Sequence, residues 1–244
     1  MPEEVVVVTG GAKGIGRAIL EKFNQAGYPT VNLDLDAEAG RQLAEQLSSQ
    51  APSHFIQTDV SDYEQVLDAR HQIIDLYHRL DFLIINAGIT YRHSLKEISI
   101  SEWDRVISVN LSSSFYLIKA CYDDLVENKG KVVVISSGSG ITGTGGGGHY
   151  AASKAGQMGF VRTLAKELGP QGVNVNSVAP RVIESDILDQ LYPDEASRQK
   201  LLEKIPIRRF GKGEDIANLT FFLTQEESSY IHGQILLADG GRTF

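Results

Sequence analysis

Short runs of β-branched and other apolar residues alternate with long amphipathic segments along the whole 244-residue chain. The runs Val5–Val8, Phe82–Ile85 and Val132–Ile135 show no alternation of polar and apolar residues, which is typical of strands buried on both faces. Such strands belong to parallel sheets, whose right-handed crossovers place helices over both faces. The pattern therefore predicts an α/β fold, a doubly wound parallel seven-stranded sheet with helices on both faces.

Seven segments are predicted as strands and six as helices. The predicted strands are Val5–Thr9, Thr30–Leu35, His54–Gln57, Phe82–Asn86, Lys131–Ser136, Asn174–Val178 and Gln234–Ala238. The predicted helices are Ile15–Ala26, Ala37–Gln50, Tyr63–Arg79, Glu102–Glu127, Tyr150–Leu168 and Glu214–Leu223. No linker, repeat or change of composition divides the chain, so we predict a single domain over residues 1–244.

Two segments do not fit this alternation of strands and helices. Gly138–Gly148 holds seven glycines in eleven positions, and we expect it to be neither helix nor strand. Arg181–Phe210 is a long charged insertion, predicted to be helical around Glu184–Leu191 and Glu195–Lys204 and to form a substrate lid over about residues 181–210. Both segments follow the carboxyl ends of strands, where open α/β sheets bind their ligands.

The composition excludes several kinds of partner. With 23 Lys and Arg against 31 Asp and Glu, the formal charge is −8, which disfavours nucleic acids and anionic membranes. A single cysteine, Cys121, excludes an internal disulfide and suits a reducing compartment, and we predict no metal site. The acidic start does not resemble a signal peptide, and no apolar run approaches the ~20 residues that cross a bilayer, so we expect a cytoplasmic protein.

A glycine-rich segment joins the first predicted strand to the first predicted helix. It reads Thr9-Gly10-Gly11-Ala12-Lys13-Gly14-Ile15-Gly16. Glycines allow a pyrophosphate to approach the backbone closely, and the N–H groups at the helix N-terminus attract the anion. The alternative is a tight turn without a ligand, but the strand before it, the helix after it and an acidic residue farther on favour dinucleotide binding.

That acidic residue is Asp34, eighteen positions after Gly16 at the end of the second predicted strand. A carboxylate there accepts hydrogen bonds from the adenosine ribose and repels the 2′-phosphate of NADP. The next residue is Leu35, which cannot pair with a phosphate, whereas Lys13 in the loop could. We expect the carboxylate to outweigh the flexible lysine, so NAD is the predicted cofactor and NADP the alternative. Asp36 is predicted to be the N-cap of the next helix.

Tyr150 and Lys154 stand four residues apart, on one face of a predicted helix, with Ser137 thirteen residues before Tyr150. A free phenol has a pKa near ~10 and is a poor acid–base catalyst at neutral pH. A neighbouring ammonium stabilises the phenolate and so lowers that pKa. Taken alone, the pair favours an incidental tyrosine and a surface lysine, because Tyr-x-x-x-Lys is common by chance.

Together with the glycine loop, the sequence resembles the short-chain dehydrogenase/reductase family over essentially its whole length. The motifs that carry the resemblance are Thr9-Gly10-x-x-x-Gly14-x-Gly16, Asp59, Asn86-Ala87-Gly88, Asn110, Ser137, Tyr150, Lys154, Pro180 and Asp239-Gly240-Gly241. The resemblance implies a Rossmann fold and nicotinamide-dependent chemistry, in which the cofactor carries the hydride and the protein supplies orientation and a proton.

The resemblance also implies roles for single residues. Tyr150 would be the general acid and base, Lys154 would lower its pKa and hold the nicotinamide ribose, and Ser137 would hydrogen-bond the substrate oxygen. Asn110 would anchor a water that links Lys154 to solvent, or alternatively would only bend its helix. The further implied cofactor contacts are Asp59 and Val60 at the adenine, Asn86, Ala87 and Gly88 at the adenosine ribose, and Pro180, Ile183 and Ser185 at the nicotinamide.

Three features depart from the family pattern. Ile85 precedes Asn86 where a pair of asparagines is usual, so one hydrogen bond to the neighbouring strand is expected to be missing. Arg181 follows Pro180 where glycine is usual, which predicts either backbone strain or a turn of different shape. The glycine run before Tyr150 is also unusually poor in side chains.

The substrate is less well indicated. Arg181 would lie at the mouth of the nicotinamide pocket, where it could meet an anionic group, or it would pair with a nearby acidic residue. His149 and Arg92 are further pocket candidates. These residues favour a small polar or anionic hydroxy compound, with a 3-oxoacyl thioester as the alternative.

The leading hypothesis is an NAD(H)-dependent oxidoreductase that interconverts a secondary alcohol and a ketone, or a primary alcohol and an aldehyde. A 3-oxoacyl-thioester reductase is the alternative of the same chemistry. A non-catalytic NAD(H)-binding sensor is the alternative of another class, although it would not need Ser137, Tyr150 and Lys154 together. Nucleotide-sugar epimerases share Tyr-x-x-x-Lys but are usually longer chains.

Small residues on the helix that carries Tyr150 bear on assembly. Ala151, Ala155, Gly156 and Gly159 permit close approach of another helix. Family members pair through this helix and the one predicted over Glu102–Glu127, and through the last strand, so we expect a homotetramer, or a dimer. Packing inside one monomer explains the same residues.

Overall fold

The computed structural model describes residues 3–184 and 194–243, and its strands form one parallel sheet. The seven strands are β1 Val6–Thr9, β2 Thr30–Asp34, β3 Ser53–Gln57, β4 Phe82–Ile85, β5 Lys131–Ile135, β6 Asn174–Pro180 and β7 Ile235–Ala238. Their order across the sheet is β3-β2-β1-β4-β5-β6-β7. This arrangement confirms the predicted seven-stranded α/β fold.

Helices connect the strands and lie on the two faces of the sheet. They are α1 Gly14–Gln25, α2 Ala37–Leu47, α3 Tyr63–Tyr77, α4 Ile100–Ile107, α5 Ser113–Ala120, α6 Tyr122–Glu127, α7 Ser139–Thr142, α8 Gly147–Leu168, α9 Glu195–Leu202 and α10 Gly213–Thr224. In the part of the chain that the structure describes, no helix combines the length and apolar character needed to cross a membrane.

The valine run at β1, Val5–Val8, shows why the strand sequences are apolar at every position. Val5 and Val7 pack into one core cluster, whereas Val6 and Val8 pack into a second cluster on the opposite face of the sheet. Successive side chains of a strand point to opposite faces, so a strand covered on both sides needs an apolar residue at every position.

The strand order places the functional edge of the sheet. β1 pairs with β2 on one side and with β4 on the other. The chain therefore reverses its direction of travel across the sheet at β1 and β4, and a crevice opens there outside the carboxyl ends of the strands. Loops after β1, β4, β5 and β6 all reach this edge.

The helix predicted over Glu102–Glu127 is not continuous. A π-helical turn, Ser108–Ser112, separates α4 from α5, and Cys121 separates α5 from α6. Within the π turn, the Asn110 carbonyl accepts a hydrogen bond from the Gln157 side chain of α8, at 2.7 Å. The Ser114 hydroxyl also donates to it, so side chains compete with the regular helical bonds and the turn widens.

The prediction that Gly138–Gly148 contains no helix was wrong. The run includes the short helix α7, and its last two residues, Gly147 and Gly148, begin α8. The predicted lid is partly described, because α9 lies within the predicted helical stretch Glu195–Lys204. The other stretch, predicted over Glu184–Leu191, lies outside the described residues from position 185 onward.

Candidate active site

The glycine loop after β1 packs tightly against the loop after β4. Gly10 has a left-handed backbone, with φ of +65°, and a Cβ at this position would stand 2.8 Å from the Ala87 Cα. A Cβ at Gly16 would stand 2.1 Å from the Gly10 carbonyl oxygen. Both distances are too short for a side chain, so these positions require glycine. Because Gly10 and Gly16 have no side chains, a ligand at this loop could contact its backbone directly.

A network of four hydrogen bonds ties the end of β1 to the end of β4. The Thr9 hydroxyl accepts from the backbone N–H groups of Asn86 and Ala87, both at 3.0 Å. The Asn86 side chain donates to the carbonyls of Thr9 and Gly10, at 3.1 and 2.9 Å. Asn86 thus joins the two loops. Ile85, which stands where a second asparagine is usual, is buried in the core instead.

Asp34 ends β2 beside the glycine loop. Its carboxylate accepts hydrogen bonds from the backbone N–H groups of Ala12 at 2.9 Å and Asp36 at 3.0 Å, which hold it in place. The Lys13 ammonium lies 2.8 Å from the Asp36 carboxylate, so the loop cation is paired with the second aspartate. Asp36 also caps α2 through the Ala39 N–H, which confirms its predicted N-cap role. Leu35 is 53% exposed.

The Asp59 carboxylate braces the loop after β3. It accepts hydrogen bonds from the Ser61 backbone and hydroxyl, at 2.9 and 2.6 Å, and lies 3.3 Å from the Arg105 guanidinium. Burial alone would raise the pKa of this carboxyl, but the bonds from Ser61 and Arg105 hold it below its ordinary value. Val60 is buried next to it.

Ser137, Tyr150 and Lys154 meet at the carboxyl edge of the sheet. Ser137 follows β5, and its hydroxyl donates to the Tyr150 phenol oxygen while accepting from the Ser139 N–H at 3.1 Å. Lys154 lies one turn after Tyr150 on α8, with its ammonium 5.8 Å from the centre of the phenol ring. That ammonium donates to the Ile135 carbonyl at 3.0 Å.

Burial acts on both titrating groups of this trio. It raises the pKa of the Tyr150 phenol, and the hydrogen bond from Ser137 offsets part of that rise. Burial lowers the pKa of Lys154 to about 8. Near neutral pH the chain alone therefore holds a protonated phenol beside an ammonium, which is a pair able to give up a proton.

Asn110 lies behind the trio, in the π turn. Its side chain accepts from the Ile89 N–H at 2.8 Å and donates to the Ile89 carbonyl and the Ser153 hydroxyl, both at 3.0 Å. These bonds clamp the loop after β4 to α8. Ser153 and Gln157 were missed by the sequence analysis, because nothing local in the sequence shows that their partner is a residue more than forty positions away.

The segment after β6 shows where the backbone strain falls that Arg181 led us to expect. Arg181 itself avoids positive φ, and Val182 takes the left-handed conformation instead, with φ of +59°. A β-branched residue rarely adopts this backbone, so the strain falls on Val182. Pro180 accepts from the Gly138 N–H at 3.0 Å, and Ile183 pairs with Gly211 in an isolated bridge. Ser185 lies outside the described residues.

Three residues were predicted as substrate contacts. The Arg181 guanidinium donates to the hydroxyls of Thr144 and Thr243, at 2.8 and 2.9 Å. A nearby acidic residue, as in the alternative prediction, is Asp239: burial raises the pKa of its carboxyl, but hydrogen bonds from Thr243 and Gly241 and the charge of Arg181 lower that pKa overall. Arg92 is exposed on the loop after β4. His149 is fully buried and both of its ring nitrogens are hydrogen-bonded within the protein, so the prediction that it lines the substrate pocket was wrong.

A family model described as Enoyl-(Acyl carrier protein) reductase matches residues 10–243. The chain belongs to the short-chain dehydrogenase/reductase family. It is 36% identical over 241 residues to the 3-oxoacyl-[acyl-carrier-protein] reductase FabG of Aquifex aeolicus, with 98% of this chain and 96% of that protein covered.

Two further proteins are similar over nearly the whole chain. The (2S)-[(R)-hydroxy(phenyl)methyl]succinyl-CoA dehydrogenase subunit BbsD of Thauera aromatica is 36% identical over 243 residues, covering 98% of this chain and 96% of that one. The crystal structure of levodione reductase matches with a TM-score of 0.94 and 28% identity, covering 99% and 98% of the two chains. This short-chain dehydrogenase/reductase is accordingly an oxidoreductase acting on CH–OH and keto groups.

The residues at the carboxyl edge fit the nicotinamide dinucleotide that this family binds. A Cβ at Gly14 would meet no atom within 4 Å, so open space lies beside the first turn of α1. The N-cap residue, Lys13, makes no side-chain capping bond, so it does not cover the N–H groups of that turn. A helix N-terminus of this kind accommodates a pyrophosphate, and the Asp34 carboxylate lies at the end of β2 beside the same loop.

We expect Gly16→Ala to damage the dinucleotide site. The added methyl would collide with the Gly10 carbonyl, and overpacking of this kind costs about 1–3 kcal/mol of folding free energy. Thermal melting should show a lower Tm, and NADH fluorescence should show at least roughly tenfold weaker binding. The matched control is Gly148→Ala, where a Cβ meets nothing within 4 Å and the Tm should not fall. Unchanged NADH binding by Gly16→Ala would contradict the expected position of the dinucleotide.

Proposed function

We propose that this chain is an NAD(H)-dependent reductase and dehydrogenase of 3-oxoacyl and 3-hydroxyacyl thioesters, with Tyr150 as the proton donor and acceptor. The observation that carries the catalytic part is the trio itself. The phenol of Tyr150 receives a hydrogen bond from Ser137 and stands on the same face of α8 as the Lys154 ammonium. The nicotinamide dinucleotide supplies or accepts the hydride when it is bound.

The charge arrangement supports a division of labour among the three side chains. In reduction, Tyr150 donates its proton to the substrate oxygen as that oxygen gains negative charge. The Ser137 hydroxyl hydrogen-bonds the same oxygen and so stabilises the developing charge. The Lys154 ammonium stabilises the phenolate that remains. In oxidation the same groups act in reverse, with the phenolate as the base.

Asp34 supports the choice of NAD over NADP. Two backbone N–H groups fix its carboxylate at the end of β2, so it cannot easily turn away from a 2′-phosphate. Lys13, the one glycine-loop cation that could favour that phosphate, lies 2.8 Å from the Asp36 carboxylate. A fixed carboxylate without a competing cation repels the additional phosphate of NADP.

The relatives support the thioester substrate. One is named as a 3-oxoacyl-[acyl-carrier-protein] reductase and another as a dehydrogenase subunit for (2S)-[(R)-hydroxy(phenyl)methyl]succinyl-CoA, which is a hydroxylated thioester. The side chains add less support for a small anion, because Thr144 and Thr243 already engage the Arg181 guanidinium. A thioester substrate needs only that its keto group reach Ser137 and Tyr150.

We also propose that the chain forms a homotetramer, or a dimer. The large side chains Trp103, Phe115 and Tyr122 are exposed on α4, α5 and α6, the region that the sequence analysis associated with assembly. A Cβ at Gly159 on the neighbouring helix α8 would meet nothing within 4 Å. Aromatic side chains beside small residues suit the packing of a second copy.

Replacing Tyr150 by Phe should abolish turnover while leaving cofactor binding in place. General acid–base catalysis contributes typically ~10²–10⁴-fold, so kcat for acetoacetyl-CoA reduction should fall by at least about 100-fold. The NADH dissociation constant should change little, because Phe keeps the ring. Tyr230→Phe is the matched control, since Tyr230 is fully exposed. Wild-type kcat in the Tyr150→Phe variant would overturn the proposed mechanism.

The cofactor choice predicts a kinetic preference. Wild-type kcat/KM should be at least ~10-fold higher with NADH than with NADPH, about 1.4 kcal/mol of discrimination. Replacing Asp34 by Ser and Leu35 by Arg should reverse the preference, because the carboxylate is lost and a phosphate partner is gained. Asp36→Asn tests whether a released Lys13 favours NADPH. Equal efficiency of the wild type with both cofactors would contradict the role given to Asp34.

The proposed role of Lys154 predicts the pH dependence of reduction. Lys154 loses its charge near pH 8, whereas the pKa of Tyr150 is raised above its ordinary value of 10.0. With saturating NADH, kcat should therefore be constant below about pH 8 and fall above it, where the phenol is still protonated but the ammonium is not. The Lys154→Arg variant keeps its charge and should lack this fall, at a lower kcat. A fall at the same pH in both proteins would exclude Lys154 as its cause.

A further inference from the structure

Two histidines share one carboxylate near the start of α8. The Glu102 carboxylate, in the first turn of α4, lies 2.7 Å from Nε2 of His149 and 2.9 Å from Nδ1 of His93. His149 is fully buried, Glu102 has a side chain 16% exposed, and His93 lies at the surface with a side chain 44% exposed. The sequence predicted none of these contacts, and the proposed catalytic steps do not use them.

The second nitrogen of His149 faces the residue that carries the proposed catalytic phenol. Nδ1 accepts a hydrogen bond from the backbone N–H of Tyr150, at 2.8 Å. A nitrogen that accepts from an N–H carries no proton, so the proton of the neutral ring is on Nε2, where it is donated to Glu102. The carboxylate therefore selects the one tautomer that can hold the Tyr150 backbone.

The backbone at the start of α8 makes this acceptor useful. Tyr150 is the fourth residue of the helix, so the regular acceptor of its N–H would be the carbonyl of the N-cap residue, Gly146, which has a left-handed backbone. That carbonyl also accepts from the Thr90 hydroxyl, at 3.2 Å. The imidazole of His149 gives the Tyr150 N–H an acceptor that lies within the first turn of the helix itself.

The glycines before His149 make room for this arrangement. Gly146 and Gly147 both have φ of +76°. A Cβ on Gly146 would stand 2.6 Å from Cδ1 of Tyr150, and a Cβ on Gly147 would stand 3.0 Å from Cε1 of His149. Side chains at these positions would displace one ring or the other. The absence of side chains at Gly146 and Gly147 therefore leaves space for the rings of His149 and Tyr150.

We propose that His149 is a positioning residue for catalysis: its Nδ1 holds the backbone of Tyr150 at the start of α8, and Glu102 fixes the tautomer that allows this. The inference rests on the proposed function of Tyr150, but the hydrogen bond itself can be tested without turnover. The His149 ring is fully buried with both nitrogens hydrogen-bonded inside the protein, so it acts through the peptide of Tyr150.

Two substitutions separate the two ends of the imidazole. In His149→Asn, the amide oxygen takes the place of Nδ1 and can still accept from the Tyr150 N–H, while the contact with Glu102 is lost. In His149→Gln, the amide reaches the place of Nε2 and can still donate to Glu102, while the acceptor for Tyr150 is lost. His93→Ala is the control, because it removes the other histidine from the same carboxylate.

Hydrogen–deuterium exchange of the peptide that spans the start of α8 is the first readout. In the apo protein, His149→Gln should raise the exchange rate of the Tyr150 amide at least roughly tenfold, whereas His149→Asn and His93→Ala should leave it close to wild type. The second readout is the kinetics with acetoacetyl-CoA. His149→Gln should lower kcat roughly 10- to 100-fold with little change in KM, as a displaced catalytic group does, and His149→Asn should recover most of that loss.

The opposite ranking would overturn the inference. If His149→Gln behaves as wild type and His149→Asn exchanges fast and turns over slowly, His149 serves only to tie α4 to α8. Equal damage in both variants, with a matching fall of Tm, would also reduce His149 to a packing residue. If the exchange results are as expected but Tyr150→Phe retains full activity, the hydrogen bond stands and the proposed role of Tyr150 fails.

Discussion

The tie between the ends of β1 and β4 is the constraint on which the site depends. Four hydrogen bonds join Thr9 and Gly10 to Asn86 and Ala87 across the point where the sheet reverses its order, and the close packing leaves no room for side chains at Gly10 and Gly16. Because β1 and β4 are paired directly, the loops after them share one edge with Ser137 after β5. A displacement of this tie would move the glycine loop relative to the trio, so backbone packing in the core sets the distance between that loop and the Tyr150 phenol.

Burial is the second constraint, and it acts against the chemistry that the site requires. Removing Tyr150 and Lys154 from water disfavours both the phenolate and the ammonium. The chain alone compensates only in part, through the Ser137 hydroxyl and the Ile135 carbonyl. The balance leaves the phenol protonated at rest, which suits the direction of reduction, where Tyr150 must begin with a proton. Oxidation needs the phenolate, so it depends more strongly on the positive nicotinamide ring.

The sheet was predictable because each strand is recognisable from the apolar residues of its own segment. A run such as Val5–Val8 shows its burial on both faces through its own residues, and Asp36 shows its capping role by standing immediately before a helix. The sequence allowed a bend at Asn110, but the part that Gln157 plays in the π turn was not predictable, because the two residues are far apart in the chain. The acceptors of the Arg181 guanidinium, Thr144 and Thr243, were not predictable for the same reason. His149 was assigned to the wrong surroundings for the same reason: adjacency to Tyr150 in sequence does not show to which side a ring turns.

The start of α8 shows why such a site is not built from the most stabilising residues. A Ser or Asp in place of Gly146 would cap the helix, but its Cβ would displace the Tyr150 ring. Glycine leaves the ring in place without a side-chain cap, and the Tyr150 N–H is held instead by the imidazole of His149 inside the helix. This imidazole accepts only in the tautomer with its proton on Nε2, which the Glu102 carboxylate of α4 favours. The position of one phenol thus depends on two left-handed glycines, a buried histidine and a glutamate outside the trio.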